Sequence, residues 1–253
     1  MNPKTTARLR TIARTGGTIV LAGALLVAVV EANAWKRGLK VTKVRCEGNR
    51  IVPDADLLRL AAVPGGSKLY SVDLVAVQNR VLQNPYMRSA FVKRELPGEI
   101  VVVAEERMPI AAVPQDPPVY LDAEGTVLPA IASDVSYDLP LVTGVTGPVG
   151  PGKRLTDSSV LEALLILTMA RKIGDELYRK ISEVHAQQGK EIVVYTTEGG
   201  VPVVFGRGET AAKIAKLDAF WQTVVSQRDV RELEYVDLRY QHQVVARWAA
   251  KRN

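Results

Sequence analysis

Val41-Thr42-Lys43-Val44-Arg45-Cys46-Glu47-Gly48-Asn49 passes from strand-like alternation over Val41 to Cys46 into the turn chemistry of Gly48-Asn49. Directly after it, Pro53-Asp54 opens a stretch in which Leu57, Leu58 and Ala61 fall on one helical face. Pro64-Gly65-Gly66 breaks the chain. Asp73 then begins a second helix with Leu74, Val77, Val81 and Leu82 at helical spacing, and Asn84-Pro85 stops it. Met87 to Leu96 and Ile100 to Ala104 are extended runs joined across Pro97-Gly98, the pattern of a hairpin. Residues 40–108 therefore read as a β-α-α-β-β unit in an α+β chain.

Working outward towards the C-terminus, residues 109–118 are proline-rich and read as a hinge. Residues 119–250 read as a mainly antiparallel β-domain with two helices. Val119 to Leu121 and Thr126 to Leu128 stand on either side of the turn Asp122-Ala123-Glu124-Gly125, and Leu139 to Val142 is a further strand. A glycine- and proline-rich loop over residues 144–152 leads into an amphipathic helix, Thr156 to Lys172. Glu191 to Thr196 and Val201 to Phe205 form a hairpin about Gly199-Gly200. A second helix, Glu209 to Val225, precedes a terminal hairpin of Leu233 to Tyr240 and Gln243 to Trp248.

Towards the N-terminus, Gly16 to Val30 carries Thr18 as its only polar side chain and follows Lys4, Arg8, Arg10 and Arg14 with no acid among them. Two readings of this targeting signal stay open. Ile19 to Val30 has the length of a signal-peptide core, and Ala32-Asn33-Ala34 resembles a cleavage site. As an anchor, the nineteen residues Gly16 to Ala34 span roughly 28 Å at about 1.5 Å per residue, with Trp35-Lys36-Arg37 at the far boundary. Residues 1–15 are then a cytoplasmic tail and 16–35 a transmembrane helix, with the bulk exported in either case.

The charge pattern narrows the function classes. The net charge is +6; four cations against Glu31 put residues 1–34 at +3, and 29 cations against 26 acids leave the exported part at +3. That balance is too dilute for a nucleic-acid surface. Cys46 is the only cysteine, so no disulfide forms within the chain, and it reads as an apolar filler. His185, His242 and Cys46 do not make a zinc set, and no metal or cofactor is expected. Gly147 to Lys153 matches part of a phosphate loop, but Pro148 and Pro151 remove two N–H donors and Arg154 replaces the metal-binding hydroxyl. Glu105-Glu106 look paired, yet neighbours on a strand point to opposite faces and read as solvated charge. Lys251-Arg252 with Arg247 reads as a frayed basic tail. There is no acyl-transfer signature and no catalytic residue to name.

Val44 to Asn49, Asn84-Pro85-Tyr86, Ala90-Phe91-Val92-Lys93-Arg94 and Glu106-Arg107-Met108-Pro109 resemble the POTRA domain of the FtsQ/DivIB family. Leu121 to Gly125, Leu139 to Gly144, Phe205-Gly206-Arg207-Gly208 and Tyr235-Val236-Asp237-Leu238-Arg239-Tyr240 resemble that family's β-domain. The resemblance implies a non-enzymatic, single-pass inner-membrane protein of the division septum. It also implies that the β-domain binds FtsB- and FtsL-like coiled-coil partners. An open sheet edge can accept a partner strand. Carried onto this chain, the edge is Gln243, Val244 and Val245 through Trp248, with Tyr240 and Trp248 as aromatic anchors and Arg239 as a charged contact. Ordinary sheet packing is the competing reading of both aromatics, and Gln241-His242-Gln243 departs from the turn usual in relatives. Another POTRA-bearing export or outer-membrane assembly factor, or a cell-wall-binding protein, is the alternative function.

Overall fold

The computed structural model describes residues 3–130, 138–147 and 149–249, with side chains described from Leu21 onward. Pro148 of the Gly147 to Lys153 loop and the Lys251-Arg252 tail lie outside the described residues. Helix α1 runs Pro3–Gly38. Among the described residues no helix is long and apolar enough to cross a membrane. Contacts divide the chain into two units, Met1–Gln83 with Ser89–Glu106, and Asn84–Arg88 with Arg107–Asn253.

The first unit follows the expected element order: β1 (Lys43–Glu47), α2 (Asp54–Ala61), α3 (Leu74–Val81), β2 (Met87–Glu95) and β3 (Glu99–Glu106). β3 is the middle of a three-stranded sheet and pairs parallel with β1, Val44 opposite Ile100 and Cys46 opposite Val102. Leu57 and Ala61 of α2, and Val77 and Val81 of α3, are buried, each pair one helical turn apart. Asp73 caps α3 by accepting from the Val75 and Ala76 N–H groups at 3.0 Å. Cys46 is half-buried, and burial, then the nearby Asp54 charge, push its thiol up to about 11, which suits a packing residue and not a nucleophile.

Gly48 shows why the β1 turn needs glycine. Its φ is +88°, and a Cβ there would meet the Ala104 carbonyl oxygen at 2.3 Å. Gly48→Ala is therefore expected to destabilise the first unit by more than about 2 kcal/mol, read as a lower denaturation midpoint. An unchanged midpoint would show that the turn can rebuild around a side chain.

The second unit holds a nine-stranded sheet. Its strands are β4 (Pro109–Val113), β5 (Val119–Asp122), β6 (Val127–Pro129), β7 (Leu141–Thr143), β8 (Ile181–His185), β9 (Ile192–Thr196), β10 (Pro202–Gly206), β11 (Leu233–Asp237) and β12 (Val245–Trp248). The spatial order is β12-β11-β10-β9-β8-β7-β4-β5-β6. Pairs β10–β11, β4–β7 and β7–β8 are parallel and the rest antiparallel. Helices α4 (Ser158–Ile173) and α6 (Thr210–Thr223) bury Ala163, Leu164, Leu167, Ile214 and Leu217 in one core with Val142, Val184, Val194, Phe205 and Val236.

Three expectations need correcting. Residues 109–118 are not one hinge, because Pro109–Val113 is β4, with Ala111 opposite Leu121 and Ala112 opposite Leu141. A proline is tolerated at a strand's first residue, where no ladder N–H is required of it, so Pro109 starts the strand and does not break it. The β-domain contains a third, short helix, α5 (Asp175–Arg179), and the strand β8, neither expected from the sequence. A register irregularity between Ile181 and Glu183 interrupts the two-residue period that would have marked β8. Glu106 is not merely solvated, since its carboxylate accepts from the Arg50, Ile51 and Val52 N–H groups, each at 2.8 Å.

Candidate partner-binding edge

Among the described residues β12 ends the nine-stranded sheet, with only β11 beside it. Val245 lies opposite Asp237, Ala246 opposite Val236 and Arg247 opposite Tyr235. Val244, Ala246 and Trp248 pack against the core, so the side chains of Val245 and Arg247 lie on the other face of the sheet. Arg247 pairs there with Glu234 at 2.8 Å.

The backbone direction of β12 follows from two hydrogen bonds outside the paired strands. The Ala249 N–H donates to the Glu232 carbonyl at 2.7 Å, which turns Ala249 towards β11. The Leu238 N–H donates to the Val204 carbonyl at 3.0 Å, which turns Leu238, and by alternation Val236, towards β10. Both place Val245 and Arg247 in hydrogen-bonded pairs with β11. The N–H and C=O groups of Ala246 and Trp248 then point outward from the sheet.

The turn before β12 is held from a distance. Lys216 of α6 donates through Nζ to the Tyr240 carbonyl at 2.8 Å and the Gln241 carbonyl at 3.2 Å. Tyr240 is 49% exposed at this turn. Gln243 and Val244 precede the strand, and with His242 they line one wall of a groove of about 280 Å³ whose other wall includes Lys216 and Phe220. Arg239 is engaged within the chain. It makes a double contact with Asp237, 2.6 Å at the shortest, and reaches Glu191 at 2.9 Å. Those two carboxylates hold the guanidinium charged, and the Arg239 hydrogen bonds in turn keep the buried Asp237 carboxyl below its usual range. Trp248 is half-buried, with the Arg228 guanidinium 4.8 Å from its ring centroid.

The residues chosen from sequence thus separate. Tyr240 is exposed beside the edge, Val245 is in the strand, and Gln243 and Val244 lead into it. Arg239 is exposed but tied to Asp237 and Glu191, and Trp248 is half-buried against the core. Ala246 lies within the stretch read as the edge but was not singled out, since an alanine between larger residues gives no signal; Lys216 was not foreseen, because it sits 24 residues before the Tyr240 carbonyl it binds. His185 meets Thr143 Oγ1 at 2.8 Å and lies 3.9 Å from Glu183. Among the described residues no group of three or more His, Cys, Asp or Glu side chains is placed to hold a metal.

Comparison with known proteins assigns both units. Residues 39–107 match the POTRA domain, FtsQ-type, and residues 108–247 match FtsQ/DivIB, C-terminal related. The chain belongs to the FtsQ/DivIB family of cell-division proteins. A cell division protein FtsQ from Rhodothermus marinus is 32% identical, over 84% of this chain and 79% of the relative. Its namesake from Salinibacter ruber is 29% identical, over 92% of this chain and 91% of the relative. That from Syntrophotalea carbinolica is 28% identical, over 91% and 83%. In FtsQ terms, β1 to β3 make the POTRA domain, and the sheet ending in β12 is the C-terminal domain.

Proposed function

We propose that this chain is a non-enzymatic bitopic scaffold of the bacterial division machinery, anchored in the inner membrane by α1 and binding FtsB- and FtsL-like partners by strand addition at β12. The observation that carries the reading is the edge itself: a strand paired on one side only among the described residues, with the outward backbone groups of Ala246 and Trp248 aligned for a second ladder. Exposed Tyr240 beside it supplies the kind of aromatic contact on which interfaces concentrate their energy.

Anchoring is supported by the side chains of α1. Leu21, Leu25, Leu26, Val27, Val29 and Val30 are all at least half exposed on a helix running to Gly38. A run of exposed apolar side chains from Leu21 to Val30 suits an apolar solvent. Trp35, 56% exposed and followed by Lys36 and Arg37, provides an interfacial belt.

The test is affinity capture of the full-length chain from detergent-solubilised membranes of its own host, with mass spectrometry of what accompanies it. Small single-pass coiled-coil proteins are expected with the bait, and N-terminal sequencing is expected to show residues 1–34 retained. Recovery of outer-membrane assembly factors instead, or a mature protein beginning at Trp35, would overturn the reading.

A further inference from the structure

A second concave surface lies in the C-terminal domain, lined by residues of α4, α5, α6 and the turn between β9 and β10. Its volume is about 720 Å³. Trp221, Leu177 and Val225 give it a nearly buried apolar floor, and Ile173, 46% exposed, stands at its rim.

The charge around that floor is unbalanced. Four lining carboxylates, Glu176, Glu198, Asp218 and Asp229, face two lining cations, Lys180 and Arg228. Both cations are already engaged: Lys180 Nζ donates to Glu176 at 2.7 Å, and Arg228 stacks on Trp248. Asp229 is held by Arg231 at 2.6 Å. Among the described residues neither Glu198 nor Asp218 is ion-paired; Asp218 takes only a neutral hydrogen bond from Gln222 at 2.9 Å. An acidic rim on a chain of net charge +6 reverses the local sign. Anions and acidic surfaces are disfavoured here, and a ligand combining apolar bulk with positive charge is favoured. The volume falls in the range of roughly 300 to 1,000 Å³ that encloses a compact ligand, enough for one or two large side chains.

We propose that this groove is a docking site, separate from the β12 edge, for a peptide segment of a partner in which a bulky apolar residue is flanked by lysine or arginine. The site stands on its own chemistry and does not depend on strand addition at β12.

The test uses the full-length chain and a fluorescently labelled hexapeptide of alternating lysine and leucine, followed by anisotropy at rising salt. The same peptide with glutamate for lysine is the control. The lysine peptide is expected to bind and to weaken as salt rises, while the glutamate peptide does not bind. The double variant Glu198→Lys/Asp218→Lys, at positions outside the core, is expected to weaken binding roughly tenfold with unchanged circular dichroism. Ile173→Ser is expected to weaken it several-fold, and Ala246→Pro to leave it as it was. Absence of binding, equal binding of the glutamate peptide, or binding indifferent to the double variant would overturn the site. Loss of binding in Ala246→Pro would overturn its separateness from the edge.

Discussion

Ala246→Pro abolishes partner capture and leaves the chain folded, whereas Val245→Pro unfolds the terminal hairpin. That is the result expected if a partner strand pairs with β12. The Ala246 N–H points out of the sheet, so its loss removes no hydrogen bond from the isolated domain, and proline is compatible with an edge strand whose N–H faces away. A partner strand loses that donor and meets the proline ring in its place. The combined effect on affinity should be at least roughly thirtyfold, the scale of about 2 kcal/mol. The Val245 N–H faces β11 opposite Asp237, so proline there deletes a native ladder bond and should cost about 3 kcal/mol of stability. Titration against the captured partner, with thermal unfolding recorded on the same samples, separates the two outcomes. Normal binding by a folded Ala246→Pro variant would mean that no strand is added at this edge.

The aromatic residues are not equivalent in this picture. Tyr240 is exposed at a turn whose carbonyls are fixed by Lys216, so its removal should tell on the partner and little on the fold. Trp248 packs on the core and under Arg228, so Trp248→Ala would mix lost packing with lost binding. Its contribution to an interface is better read through its outward backbone groups than through its indole.

What could be read from the sequence follows the range of the forces involved. Asp73 announced its helix because capping acts over three residues, and Gly48 announced its turn because a positive φ is a local demand. The Leu57/Ala61 and Val77/Val81 pairs showed because burial imposes a period. β4 was hidden by its own Pro109, and β8 by an irregularity that breaks the alternation. The β11–β12 hairpin was legible in outline, but the direction of each N–H depends on register. Register here is set by the Asp237–Val245 pairing and by the Lys216 clamp from α6, neither of which has a local mark.

Glu106 is the sharpest case of a long-range role that local reading misses, and Glu106→Ala is expected to be the most damaging surface-type substitution in the POTRA domain. One carboxylate oxygen takes the Arg50 and Ile51 N–H groups and the other takes that of Val52, all at 2.8 Å, closing the link between β1 and α2 onto the end of β3. Backbone donors bound to a charged acceptor are worth more than neutral pairs, but water can reach part of this site. The loss should therefore be about 2 to 3 kcal/mol, less than three buried charge-assisted bonds would suggest. Glu106→Gln should fall between, because its amide keeps one acceptor oxygen and turns an NH2 group towards a backbone donor. Amide hydrogen exchange at residues 50–52, read beside chemical denaturation, reports on the right groups. Faster exchange confined to that link would show the carboxylate as its anchor, and unchanged exchange with an unchanged midpoint would return Glu106 to the solvent. The adjacent Glu105 points its carboxylate to the Ser89 hydroxyl at 2.9 Å, on the side of β3 that faces β2 and away from the residue 50–52 link.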